Sequence, residues 1–353
     1  MHRVAIVLAT LLLARGAQAQ GTDYRLDATV TFYGDDTEFF NPFRTGQTTL
    51  GTYAVLFGEA RTSDRLAIRA GIFGNQPFGS SRGFEQVRPV LALVIGSARS
   101  RLILGTLETV RRADGAGPDR TGPHGLLPPV QIETLAFERP WEAGLQWLVQ
   151  TPRIAQDTWI HWQRLNTRSE REIFDAGLTS RVRLSHAATL RTDIFLVHEG
   201  GQLSATGVVS DSLAGTIGVD VGGPAGPFDR VGLEALVLGS RFVPNRADRS
   251  DARSGLGTFI RASVEESGWR AHAIVWRGDD FIAREGDRQY QSLQLDGTEY
   301  RALRDYAEAG LTRLFPLEKR SWLEASLRWH RVENRYGYSF RILATAGLEI
   351  GAP

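Results

Sequence analysis

The stretch Arg65-Leu-Ala-Ile-Arg-Ala-Gly-Ile-Phe-Gly74 decides how the chain is read. Leu66, Ile68, Ala70 and Ile72 fall on one face of an extended chain. Arg65, Ala67, Arg69, Gly71 and Phe73 fall on the other. Successive side chains of a strand point to opposite sides, so one face here is apolar and the other can carry charge. Turn-rich breaks bound the segment: Thr62-Ser-Asp64 before it and a Gly/Pro/Ser stretch at 75–86 after it.

The same pattern recurs along the chain. Alternation sustained over about eight residues or more marks strands. It predicts them at 24–33, 48–61, 65–74, 86–96, 100–109, 142–150, 154–164 and 173–183, then at 187–199, 212–222, 229–240, 255–265, 268–278, 303–314, 321–333 and 337–349. The connections between these sixteen segments alternate long and short, with 334–336 as a short exception. Residues 131–138 also alternate. Counted as a strand they would invert the long-short order downstream, so they belong to the long connection 110–141. Fourteen and eighteen strands are the alternatives.

The first residues set the compartment. Met1-His-Arg3 is a basic start, Val4 to Ala14 an apolar run broken by Thr10, and Ala17-Gln18-Ala19 an A-x-A cleavage site. Residues 1–19 are therefore expected to be a secretory signal and 20–353 one β-domain. No later run reaches the roughly 18 apolar residues that a membrane-crossing helix needs. The chain has no Cys, which excludes disulfides and thiolate metal sites. Its formal charge is +1, and removal of Arg3 and Arg15 from 41 basic residues leaves 39 against 40 acidic. That balance gives no reason to expect nucleic-acid binding.

Apolar strand faces opposite charged ones, behind a secretory signal, predict an all-β transmembrane barrel. In 321–333, Leu323, Ala325, Leu327 and Trp329 oppose Glu324, Ser326, Arg328 and His330. In 337–349, Tyr338, Phe340, Ile342, Ala344, Ala346 and Leu348 oppose Ser339, Arg341, Thr345, Gly347 and Glu349, with Leu343 as the misfit. Tyr24, Trp162, Trp269, Trp329 and Tyr338 lie near strand ends, where interfacial aromatic girdles form.

With its signal, sixteen alternating strands and loop pattern, the mature chain resembles bacterial outer-membrane porins. The resemblance is one of architecture. It implies an antiparallel up-and-down barrel of about 16 strands in the bacterial outer membrane, both termini periplasmic, in contact with outer-membrane lipid and lipopolysaccharide. It also implies that the third external loop folds inward, and that small hydrophilic solutes cross by passive or facilitated diffusion. Porins are often homotrimers, but no signature here fixes an assembly. One departure is the end of the chain, Leu348-Glu-Ile-Gly-Ala-Pro353, which lacks the terminal aromatic usual in porins.

The third loop holds Arg111, Arg112, Asp114, Asp119, Arg120, His124 and Glu133, the expected constriction. The expected lumen faces add Arg25, Asp27, Arg69, Glu324, Arg328 and Arg341. Opposed guanidinium and carboxylate groups there would select solutes by charge and radius. The other classes considered are a non-conducting structural or partner-dependent exporter barrel, and an outer-membrane hydrolase. No G-x-S-x-G motif accompanies the scattered His residues, and Ser185-His186 lies in a short turn, so no enzyme is expected. No metal site is expected either: Asp35-Asp36-Thr-Glu38 and Asp279-Asp280 do not match a calcium loop. No cofactor is expected, since Gly222-Gly-Pro-Ala-Gly226 lacks the Lys of a phosphate loop.

Overall fold

The computed structural model describes residues 22–109, 122–203, 207–292 and 300–351. Among them, sixteen strands close into one antiparallel barrel in which every strand pairs with its neighbours in sequence. They are β1 (Asp23–Phe40), β2 (Thr45–Ser63), β3 (Leu66–Pro77), β4 (Gln86–Ser97), β5 (Ser100–Thr106), β6 (Ala143–Gln150), β7 (Ile154–Arg164) and β8 (Glu172–Arg183). The second half comprises β9 (Ala188–Gly200), β10 (Ser210–Ala225), β11 (Phe228–Val243), β12 (Arg253–Glu266), β13 (Trp269–Asp279), β14 (Leu303–Glu318), β15 (Ser321–Val332) and β16 (Arg335–Gly351). The seam runs from Arg25↔Gly351 to Phe39↔Gly337 in unbroken register. Closure leaves no edge strand, which is why such a sheet can lie in lipid.

The first strand is longer than its alternation suggested. Residues 34–40, which fall between the strands expected at 24–33 and 48–61, continue β1 opposite β16, with Asp35↔Arg341 and Thr37↔Ser339. Asp35 is buried on the inner face, where Arg341 meets it. A carboxylate with a lumen partner does not interrupt a strand.

The faces follow the pattern of β3. Ile68 and Ile72 are exposed on the outside while Ala67, Arg69 and Phe73 are buried inside. Leu327, Phe340, Ile342 and Leu348 are likewise exposed, opposite buried Arg328, Ser339 and Arg341. Tyr24 and Trp269 are exposed at the short-turn end of the barrel, and Trp162, Trp329 and Tyr338 at the long-loop end.

The interior is not a water-filled tube throughout. Phe43 of the short β1–β2 link and Leu107, Leu126, Leu127, Val130 and Phe281 from the long connections pack into one buried cluster with the inward-facing wall residues Trp159, Phe195, Leu236, Leu238, Phe259, Ile274 and Trp276. The third long connection contains the short helix α1 (Leu135–Glu138). Residues 131–138 therefore stay within that connection, as the loop-length pattern predicts. The segment 280–292, read as part of an external loop, also turns inward. Phe281 and Tyr290 are buried, and Trp276 Nε1 donates to the Tyr290 carbonyl at 2.9 Å.

Candidate functional site

Two polar nodes flank this apolar plug. The first fixes the third loop. His124 has a left-handed backbone (φ 60) and its ring is fully buried. Its Nδ1 lies 2.9 Å from Asp157 on β7, its Nε2 2.9 Å from Glu142, and its ring stacks on Trp159 at 3.9 Å. Burial by itself would lower the His124 pKa. The Asp157 and Glu142 carboxylates outweigh burial and push it up to about 10. The charged ring thus ties the loop to the wall by two charge-assisted bonds and a stack. Nearby, Arg139 grips Glu285 with two bonds of 2.9 and 2.8 Å, joining the third loop to segment 280–292.

The second node spans four adjacent strands. Glu308 on β14 stands opposite His330 on β15, and Ser339 on β16 stands opposite Arg328. Ser339 Oγ lies 2.8 Å from His330 Nε2. On the far side of the ring, His330 Nδ1 lies 2.7 Å from the Tyr306 hydroxyl, which donates to Glu308 Oε2 at 2.6 Å. Glu308 Oε2 is itself 3.5 Å from His330 Nδ1. One proton arrangement satisfies the whole chain: Ser339 donates to Nε2, Nδ1–H donates to Tyr306, and Tyr306 donates to Glu308. His272 Nε2 holds the other Glu308 oxygen at 2.7 Å. Gly310 makes room for it, since a Cβ there would lie 2.2 Å from the His272 ring.

Beside the serine, Glu133 of the third loop bridges Arg328 at 2.8 Å and Arg341 at 2.9 Å, and Arg341 Nε donates to Asp35 at 2.7 Å. Arg328 Nη2 is buried and has no hydrogen-bond partner among the described residues. These groups line a cavity of about 20 Å³, room for about one water. A second cavity of about 250 Å³ adjoins it, sharing Arg44 and Ile132 and lined further by Leu135, Arg284, Glu285, Gly286 and Arg288.

Of the expected site residues, the structure brings Glu133, Arg328 and Arg341 together. His124 is buried in the other node. Arg25, Asp27, Arg69 and Glu324 lie on inner faces toward the short-turn end, where Arg69 pairs with Glu59 and Glu108, and Asp27 with Arg320. Arg111, Arg112, Asp114, Asp119 and Arg120 lie outside the described residues. Sequence reasoning missed Ser339, His330, Tyr306 and Glu308 as one group, because a contiguous motif cannot represent residues contributed by three strands. Their shared inward parity is the one signal the sequence carried.

The chain is similar in fold to OmpTdeltaL8, a loop L8 deletion mutant of OmpT, an outer membrane protein of Vibrio cholerae (TM-score 0.56, 8% identity, covering 93% of this chain and 100% of that one). It is also similar to an anion-selective porin from Comamonas acidovorans (0.54, 11%, covering 93% and 100%). OccK8 (OprE) of Pseudomonas aeruginosa is a third (0.53, 10%, covering 93% and 98%). At such identities the likeness is one of fold: a porin-like outer-membrane barrel. No curated protein matches the chain. The family model described as lipid A 3'-O-deacylase-type matches residues 17–342, nearly the whole chain, and the chain belongs to that family.

Proposed function

We propose that this barrel is an outer-membrane acyl-ester hydrolase acting on acylated glycolipid of the lipid A class. The observation that carries this reading is the buried hydrogen-bonded series Ser339–His330–Tyr306–Glu308. A serine within reach of an imidazole, itself oriented by an acid, is the arrangement that activates a hydroxyl as a nucleophile. Family membership supports the substrate class.

In this reading Ser339 Oγ attacks the ester carbonyl while His330 Nε2 takes its proton. The Tyr306–Glu308 pair holds the imidazolium that forms. Arg328 Nη2, which has no hydrogen-bond partner among the described residues, is the donor available to the carbonyl oxygen as it becomes negative. His330 returns the proton to the leaving sugar alkoxide, giving an acyl-serine and the deacylated glycolipid. Water activated by the same imidazole then releases the fatty acid and restores Ser339. The water-sized cavity describes a closed form, so an acyl chain enters through the adjoining 250 Å³ cavity as the loops part. The long-loop end faces the external leaflet, where the substrate is found.

The test is incubation of the refolded full-length mature barrel in detergent with purified lipid A, followed by mass spectrometry. Loss of one acyl chain is expected. Intact lipid A after prolonged incubation with folded protein would sink the reading.

The array Asp35–Arg341–Glu133–Arg328 favours a second reading. It is the kind of opposed-charge constriction through which a porin-like barrel passes small hydrophilic solutes by diffusion. Steady single-channel steps in a planar bilayer, without any lipid A cleavage, would put that reading first.

A further inference from the structure

We propose that Glu142, His161 and Asp175 form a divalent-cation site of the zinc class where the third loop meets β7 and β8. All three are buried, and each offers a donor atom within 4.8 Å of the others. His161 Nδ1 lies 3.1 Å from Asp175 Oδ2 and 3.7 Å from Glu142 Oε2. Ligands about 2.0–2.2 Å from a tetrahedral zinc lie about 3.3–3.6 Å from one another, so these separations already approach the required spacing. One imidazole and two carboxylates suit zinc, with a fourth position left for water.

A second observation points to a ligand. Glu142 is 1% exposed, and its Oε1 is buried with no hydrogen-bond partner among the described residues. A buried carboxylate oxygen without a donor is costly unless a cation takes its lone pairs. The supporting shell is also in place. His124 Nε2 orients Glu142 through Oε2, while Trp159 Nε1 at 3.1 Å and Gln163 Nε2 at 2.8 Å orient Asp175. Metal ligands are commonly held by such outer partners. Arg139 Nη2 is 3.8 Å from Asp175, but its two bonds go to Glu285, where it can remain when a cation enters. The site is separate from the Ser339 node and does not depend on the hydrolase reading.

The experiment loads the refolded full-length mature barrel with zinc chloride, removes excess by gel filtration in chelator-treated buffer, and measures zinc by mass spectrometry. About one zinc per chain is expected, falling at least tenfold in His161→Ala and Glu142→Gln. His186→Ala, in an exposed turn, is expected to retain it. Each variant is first shown to be folded by its heat-dependent shift on a gel. If His161→Ala does not fold, Glu142→Gln, which keeps the side-chain shape, carries the test. A folded wild type that retains no zinc, or equal retention by folded Glu142→Gln, overturns the proposal.

Discussion

Ser339 Oγ lies 2.8 Å from His330 Nε2 across the β15–β16 pair, with Arg328 directly opposite the serine. Adjacent antiparallel strands bring these side chains to one patch of the inner wall although eight residues separate serine from histidine. Ser339→Ala is expected to reduce acyl release from lipid A by about three orders of magnitude or more, with the barrel still folded. Retained activity, read as free fatty acid by mass spectrometry, would remove Ser339 from the nucleophile role.

Tyr306 connects His330 to Glu308, which is 3.5 Å from the ring without it. Tyr306→Phe removes a hydrogen bond to a charged group, worth about 1.5–3 kcal/mol. Through the transition state this corresponds to roughly a ten- to hundredfold loss of kcat, with KM little changed. An unchanged kcat would show that Glu308 acts on His330 directly.

His124 holds the plug by ion pairs to Asp157 and Glu142 and by its stack on Trp159. His124→Ala leaves two buried carboxylates without that partner, a loss of about 3–5 kcal/mol. The loop is expected to detach from the wall while the barrel persists. The expected readout is more frequent open steps in a planar bilayer than the parent protein gives. A variant that opens no more often than the parent would mean that the apolar cluster alone retains the plug.

Leu327 faces outward near the middle of β15, opposite Leu311. Leu327→Arg puts a charge into the lipid-facing band, at about 2–4 kcal/mol near the bilayer midplane. A lower yield of heat-modifiable folded barrel is expected. A normal yield would count against the assigned depth of this strand.

Sequence alone determined the barrel. Strand parity has a period of two, and in lipid a slip of one residue would turn Arg69, Arg328 and Arg341 outward, so inner and outer faces are written locally. The strand count and the long-short loop alternation needed no tertiary contact to be legible. The length of β1 needed one, because Asp35 looks like a loop residue until Arg341 is opposite it. The candidate site was decided only by closure. Ser339, His330, Tyr306 and Glu308 are unremarkable inward-facing residues until β14, β15 and β16 align. The plug depends on contacts over still longer range. Leu126, Leu127 and Phe281 read as loop residues, and become core because the bulky inward faces of Trp159, Leu238, Phe259 and Trp276 exclude water from that half of the lumen. Local alternation encodes which way a side chain points. What it meets there is set by the curvature that brings distant strands and loops into one interior.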